Sequence, residues 1–222
     1  MIIVIDGPSG SGKSTLAQKL SKELNIPYFD TGAMYRSFCW FLLKNKVSDD
    51  DEEKIKDCLK QMDFKIVPKG HDLCYIVNGE DVTDSIRDDN VTRHVSKISA
   101  YFFVREHLVS LQREFGKTNN GIFEGRDMGT VVFPEAEIKF FLFADPNIRA
   151  LRRFEQLQGK FPLKQFEKDK VLHELIKRDE YDSMRQHSPL KQAKDAHSID
   201  VSYLSIDEVF EKMKNYIDEK KA

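Results

Sequence analysis

Residues Gly7 to Ser14 read Gly-Pro-Ser-Gly-Ser-Gly-Lys-Ser, a spacing of glycines before a lysine and a hydroxyl residue that suits the holding of a nucleotide polyphosphate. A loop whose backbone amides point inward offers several N–H donors at once, and glycine permits the backbone angles and close approach that this requires. Gly7, Pro8, Ser9, Gly10, Ser11 and Gly12 would form the cradle and Lys13 would reach the β- and γ-phosphates. The Ser14 hydroxyl would ligate Mg²⁺, and Thr15 would complete the ATP-binding stretch. The apolar run Ile2-Ile3-Val4-Ile5 before the loop predicts a strand, and Leu16 and Leu20 after it predict a helix whose positive end faces the anion.

A phosphate loop is shared by motors, switches, metabolic kinases and synthetases, so other polar groups must discriminate. Asp30-Thr31-Gly32-Ala33-Met34-Tyr35-Arg36 lies where a second strand ends, and the planar fork of Arg36 matches a phosphate. Phe123-Glu124-Gly125-Arg126-Asp127-Met128-Gly129 follows a buried apolar run. Glu124 stands where such an enzyme places the carboxylate that holds Mg²⁺ or its water, with Arg126 and Asp127 beside it. The third group is Arg149, Arg152, Arg153, Arg178 and Arg185, divided by Gly159-Lys160-Phe161-Pro162. Spacings of three and four residues put Arg149 with Arg152 or Arg153, and Arg178 with Asp182 and Arg185, on shared helix faces. Two basic helices joined by a turn predict a lid that brings guanidinium groups to a transferring phosphoryl group. A second anion site beside the phosphate loop points to a kinase of a phosphorylated small acceptor.

The elements that must position these groups alternate between strand and helix. Ile26 to Asp30 predicts a short strand, followed by a helix through Phe38, Phe41 and Leu42 and another from the acidic run at Asp49 to about Met62. Phe64 to Val67 and Leu73 to Val77, separated by Pro68 and Gly70 and followed by Asn78-Gly79, predict a small antiparallel insertion. Helices are expected over Ser85 to Ile98 and Phe103 to Phe115, then a turn at Asn119-Asn120-Gly121 and strands over Gly121 to Glu124 and Ile138 to Phe143. Pro146 opens a helix, a long polar helix runs from about Gln165 to Arg185, Ser198 to Val201 offers a last strand, and Ser205 starts a terminal helix with a capping-box spacing. The pattern predicts an α/β fold, a parallel sheet covered on both faces.

With 35 basic and 37 acidic side chains, no global field would gather nucleic acid or an anionic membrane, so phosphate affinity must be local. Three cysteines without metal spacing fit buried free thiols in a reducing compartment. The absence of a leader pattern or a membrane-length apolar stretch predicts a soluble, cytoplasmic protein. His71, His94, His107, His173, His187 and His197 are scattered and lack the spacing of metal ligands.

The segments Gly-Pro-Ser-Gly-Ser-Gly-Lys-Ser, Asp-Thr-Gly-Ala-Met-Tyr-Arg, Gly-Arg-Asp-Met-Gly-Thr-Val-Val-Phe-Pro and Arg-Asp-Glu-Tyr-Asp-Ser-Met-Arg together resemble the bacterial cytidylate kinases. That resemblance implies a P-loop nucleoside monophosphate kinase fold in one domain, with core segments 1–62, 83–157 and 187–222, a β insertion at about 63–82 and a helical lid at about 158–186. It implies transfer of the ATP γ-phosphoryl group to CMP or dCMP with Mg²⁺, in a monomer. It puts Thr31 near the acceptor's sugar or phosphate and Arg36 and Arg126 on its phosphate. Ser96, Arg105 and Asp127 would face the cytosine, and Arg178, Asp182 and Arg185 would reach ribose and phosphates. Lys13, Arg126, Arg178 and Arg185 become the catalytic set, and Ser14 and Glu124 the metal-holding pair. Glu124 stands where aspartate is expected and Thr31 where serine is common.

Hydrogen-bond chemistry adds a selectivity. Asp127 accepts from cytosine's exocyclic amine, whereas the uracil carbonyl would set two acceptors face to face. Arg105 donates to the ring nitrogen or carbonyl. An ionised acceptor phosphate needs no strong base, so direct in-line transfer without a covalent enzyme intermediate is expected. The rivals are a kinase for UMP, AMP or a metabolite such as shikimate, and a P-loop regulatory switch.

Overall fold

The computed structural model describes residues 1–69, 72–118, 120–162 and 165–221. Gly70 and Asn119, both expected in turns, lie outside the described residues. The chain divides into two compact units, residues 1–26 with 122–222, and residues 27–121.

In the first unit the apolar run forms β1 (Ile2–Asp6), and helix α1 (Lys13–Leu24) begins where the phosphate loop ends. Lys13, Leu16, Ala17 and Leu20 are its buried residues, one face at helical spacing. Gly12 sits before the helix at φ 83°, a left-handed conformation that a side chain would strain. Gly7 is restricted by space, since a Cβ there would lie 2.1 Å from the Leu142 carbonyl oxygen. The unit continues through β6 (Gly121–Gly125), whose first residue belongs to the other unit, then β7 (Ile138–Phe143), α6 (Pro146–Lys160), α7 (Lys168–Met184), β8 (His197–Asp200) and α8 (Ile206–Lys221). The strands are ordered β6-β1-β7-β8, with β1–β7 and β7–β8 parallel. Helices α6 and α7 pack together, and α8 covers α1 and β7. Ser205 and Glu208 cap α8 reciprocally: the Ser205 N–H donates to Glu208 Oε2 at 2.8 Å and the Glu208 N–H to Ser205 Oγ at 3.2 Å. Pro162 pushes Phe161 to φ −133°, ψ 68°, which ends α6 at the expected turn.

The second unit holds β2 (Tyr28–Asp30), α2 (Thr31–Lys44), α3 (Glu52–Gln61), β3 (Phe64–Lys69), β4 (Asp72–Val77), β5 (Glu80–Asp81), α4 (Asp89–Ile98) and α5 (Phe102–Thr118). β3, β4 and β5 form a small antiparallel sheet. Its core gathers Phe38 and Leu42 of α2, Ile55 of α3, Val77 of β4, Val95 of α4 and Leu108 of α5. The fold class is as expected: a mostly parallel sheet flanked by helices, with the antiparallel insertion.

Two expectations change, and the structure adds one turn. Ser85 to Ile98 is a 3₁₀ turn at Ser85–Arg87 and a separate helix, because Asp88 is extended at ψ 155° and begins α4 as its cap residue. Asp88, Asp89 and Asn90 favour helix starts over helix interiors, which the apolar spacing of Ile86, Val91 and Val95 hides. A π-helical turn over Met128–Val132 follows β6. Cys39 is a buried thiol as expected, but Cys58 and Cys74 are only half-buried.

Phe38 is fully buried in the second unit's core. Phe38→Ala is expected to lower stability by about 3–5 kcal/mol in urea denaturation monitored by circular dichroism.

Candidate functional site

In the first unit the phosphate loop is held by its own side chains and by α6 and α7. Lys13 is 6% exposed, and its Nζ donates to the Pro8 carbonyl at 2.7 Å and to Ser11 Oγ at 3.4 Å. Burial, and then the like charge of Arg126, push its pKa well below the ordinary lysine value, against the opposing pull of Glu124, Asp179 and Asp6. Ser9 is gripped at both backbone groups: its N–H donates to Asp179 Oδ1 at 2.9 Å and its carbonyl accepts from Arg149 at 2.9 Å. Arg149 and Asp179 are themselves an ion pair, and Arg149 Nε donates to the Ala144 carbonyl.

Ser14, at the start of α1, donates from Oγ to Glu124 Oε1 at 2.6 Å, and Glu124 is buried at the end of β6. These two oxygens are a fit for Mg²⁺, which takes few protein ligands and completes its octahedron with phosphate oxygens and water. Among the described residues no cluster of three or more His, Cys, Asp or Glu forms an all-protein cage, as that mode of binding requires none. Aspartate at position 124 would be one methylene shorter, so the glutamate carboxylate is the group that meets the Ser14 hydroxyl in this chain.

Past β6, Arg126 Nε donates to Asp182 Oδ2 at 2.9 Å. Arg185 donates from Nε to the Asp182 carbonyl at 3.2 Å and places its guanidinium 3.7 Å from Oδ1. Burial raises the Asp182 pKa, but Arg126, Arg185 and Arg178 outweigh it and hold the carboxyl below its usual range. One carboxylate is therefore shared among three guanidinium groups. The charge of Arg178 is disfavoured by burial and then by Arg126, and its buried Nε has no hydrogen-bond partner among the described residues. Asp127 is 2% exposed.

Arg149, Arg152 and Arg153, expected in a lid, have separate attachments. Arg149 holds the phosphate loop as described, Arg152 donates to the Val201 and Ser202 carbonyls at 2.7 and 3.1 Å, and Arg153 reaches Gln156 Oε1 on the surface.

The second unit gathers another set around the start of α2. Asp30 caps that helix by accepting from the Ala33 N–H at 3.0 Å and pairs with Arg87. Burial would raise its pKa, yet Arg87 and the hydrogen bonds lower it. Thr31 is buried in the first turn. Arg36 donates to the Ile86 carbonyl at 3.1 Å and to Thr92 Oγ1 at 2.9 Å. Arg105 is 4% exposed, donates to the Ser99 carbonyl at 3.1 Å and lies 5.0 Å above the Tyr35 ring. Ser96 is half-buried on α4, and its carbonyl accepts from Ser99 Oγ.

The cytidylate kinase family model matches residues 3–219. The chain belongs to the cytidylate kinase family. The cytidylate kinase of Protochlamydia amoebophila (strain UWE25) is 49% identical over 220 residues, covering 98% of this chain and 96% of that protein. That of Carboxydothermus hydrogenoformans is 44% identical, covering 99% and 98%. An uncharacterized protein from Eubacterium ventriosum superposes at TM-score 0.53 with 16% identity over 98% of both chains, a likeness of fold alone. No helix among the described residues of this family member is long and apolar enough to cross a membrane.

Two residues that hold the site were not singled out in the sequence. Asp179 lies beside Arg178 in a helix full of charge, where nothing in its spacing separates it from a solvated side chain. Asp6 is more legible, an acid closing an otherwise apolar strand directly before the loop.

The depressed pKa of Asp182 gives a pH signature. Its contribution to stability is complete above the unfolded aspartate value of about 3.9 and is lost as pH falls through the lower folded value. Arg126→Ala should therefore cost stability at pH 7, up to about 3–5 kcal/mol, and progressively less as pH falls below about 3.9, as read by urea denaturation across that range.

Proposed function

We propose that the protein transfers the γ-phosphoryl group of ATP to CMP or dCMP, giving CDP or dCDP and ADP. Membership of the family supports the activity, and one feature of the geometry carries its chemistry: Arg126, Arg178 and Arg185 gather about Asp182, with Asp179 as a further counter-charge to Arg126 and Arg178, and Arg126 is close enough to depress the Lys13 pKa. Closely spaced guanidinium groups favour an anion among them, and phosphate oxygens supply it.

Lys13 and the loop amides take the donor's β- and γ-phosphates, and the phosphate charge raises the Lys13 pKa back toward the ammonium form. Ser14 and Glu124 would hold Mg²⁺, which when bound neutralises charge on the β- and γ-oxygens. Arg126, Arg178 and Arg185 face the charge that develops on the transferring group, in a buried setting where each contact is stronger than in water. On the acceptor, Arg36 and Arg126 take the phosphate, Thr31 the sugar or phosphate, and Asp182 with Arg178 and Arg185 the ribose and phosphates. Arg105, Ser96 and Asp127 read the base. The acceptor oxygen is already ionised, so these residues align it in line with the γ-phosphorus and no base is required. Arg149 and Asp179 keep Ser9 in the loop conformation that such alignment requires.

The test is an ADP-release assay across CMP, dCMP, UMP and AMP. CMP and dCMP should exceed UMP and AMP in kcat/KM by about tenfold or more, and Asp127→Ala should narrow the CMP–UMP gap. Equal turnover of UMP and CMP by the wild type would remove the base assignment. Lys13→Ala should lower kcat by about 10²-fold or more with a far smaller change in CMP affinity, whereas Arg36→Ala should raise the CMP KM.

A further inference from the structure

Asp6 ends β1, and the phosphate loop begins at the next residue, yet the Asp6 carboxylate is turned toward a different segment. Its Oδ1 accepts from the Met128 N–H at 2.9 Å and its Oδ2 from the Gly129 N–H at 2.7 Å. The side chain is 3% exposed, and burial raises its pKa to about 7 against the pull of those two donors. Such a group is costly to place in a core unless its hydrogen bonds matter.

What they secure is a backbone path that local sequence does not favour. Met128 and Gly129 open the π-helical turn in which the Val132 N–H reaches back to the Asp127 carbonyl at 3.1 Å and the Phe133 N–H to Met128 at 2.7 Å. Isolated π turns of this kind are rare and depend on their surroundings. Gly129 lies so close that an added Cβ would be 3.3 Å from Lys139 Cδ and 3.4 Å from both Ala193 Cβ and Asp6 Oδ2. Each of the two neighbouring N–H groups has its own carboxylate oxygen, an arrangement that an amide, with one oxygen and an NH₂, does not reproduce.

We propose that Asp6 is a positioning residue for acceptor recognition: it adjoins the donor loop in the chain, but its two hydrogen bonds set the path of the main chain from Asp127 to Gly129 and so the base selectivity carried by Asp127. The inference rests on the function proposed above. It separates two roles that sequence position would merge, since a residue next to Gly7 would otherwise be assigned to ATP.

Asp6→Asn keeps the size of the side chain but offers one acceptor and turns an NH₂ toward the other N–H. With ATP and acceptor varied in turn, the variant is expected to raise the CMP KM about tenfold and to reduce the CMP-to-UMP ratio of kcat/KM at least about fivefold, with the ATP KM changed less than about twofold. Gly129→Ala adds a Cβ 3.3 Å from Lys139 Cδ and 3.4 Å from Asp6 Oδ2, beside the same pair of bonds, and should give the same split, more weakly. It also carries the test if Asp6→Asn does not fold. An ATP KM that moves as much as the CMP KM would overturn the proposal, as would a loss confined to kcat or melting temperature with the CMP-to-UMP ratio intact. A wild type without any preference for CMP would instead defeat the functional reading itself, and the acceptor role of Asp6 with it.

Discussion

Charge that is buried must be answered by charge or by hydrogen bonds, and the ends of β1 and β6 concentrate that requirement. Within a few residues of these strand ends lie Asp6, Lys13, Glu124, Arg126 and Asp127, of which all but Arg126 are buried and Arg126 is nearly so. An unpaired ion in such surroundings costs several kcal/mol, comparable to the whole stability of many domains. Four of them are accordingly bound to something specific: Asp6 to two backbone N–H groups, Lys13 to a carbonyl, Glu124 to a hydroxyl and Arg126 to Asp182. The loops after these strands owe their shape to those bonds.

The same pairing holds several guanidinium groups close together, and this links stability to function. Asp182 answers Arg126 and Arg185 and must also offset Arg178, whose buried Nε has no partner among the described residues. Groups fixed in this way need no reorganisation as charge builds on a transferring phosphoryl group, which is why preorganised guanidinium groups are effective in catalysis. The arginines of α6 serve differently. Arg149 and Arg152 hold backbone carbonyls, whereas Arg153 reaches Gln156 on the surface, so basic residues at similar helical spacing do different work.

Legibility in the sequence followed the range of the interaction. The phosphate loop, β7 and the capping box of α8 depend on neighbours in the chain, and their residue types announce them. Ser14 with Glu124 and Arg126 with Asp182 could be placed in one site by residue type, but their contacts join positions over 50 residues apart. Asp179 and the π turn could not be read, because each depends on a distant partner, the Ser9 N–H for the one and the Asp6 carboxylate for the other. The break at Asp88 was missed for the opposite reason: apolar spacing continued through it while the local preference of adjacent acidic residues stopped the helix. In the second unit, Arg36 was recognisable as a charged group in an apolar helix and Arg105 through the family resemblance, whereas their anchors at Ile86, Thr92 and Ser99 appeared only in the fold.

The central claim is that these fixed charges pass a phosphoryl group directly from one nucleotide to another, with no enzyme side chain as carrier. The stereochemical course at phosphorus tests it most directly, using ATP whose γ-thiophosphoryl group is made chiral with oxygen isotopes and CMP as acceptor. Inversion of configuration in the CDP product is the expected result; retention would require two displacements and a phosphorylated enzyme, and would contradict the account.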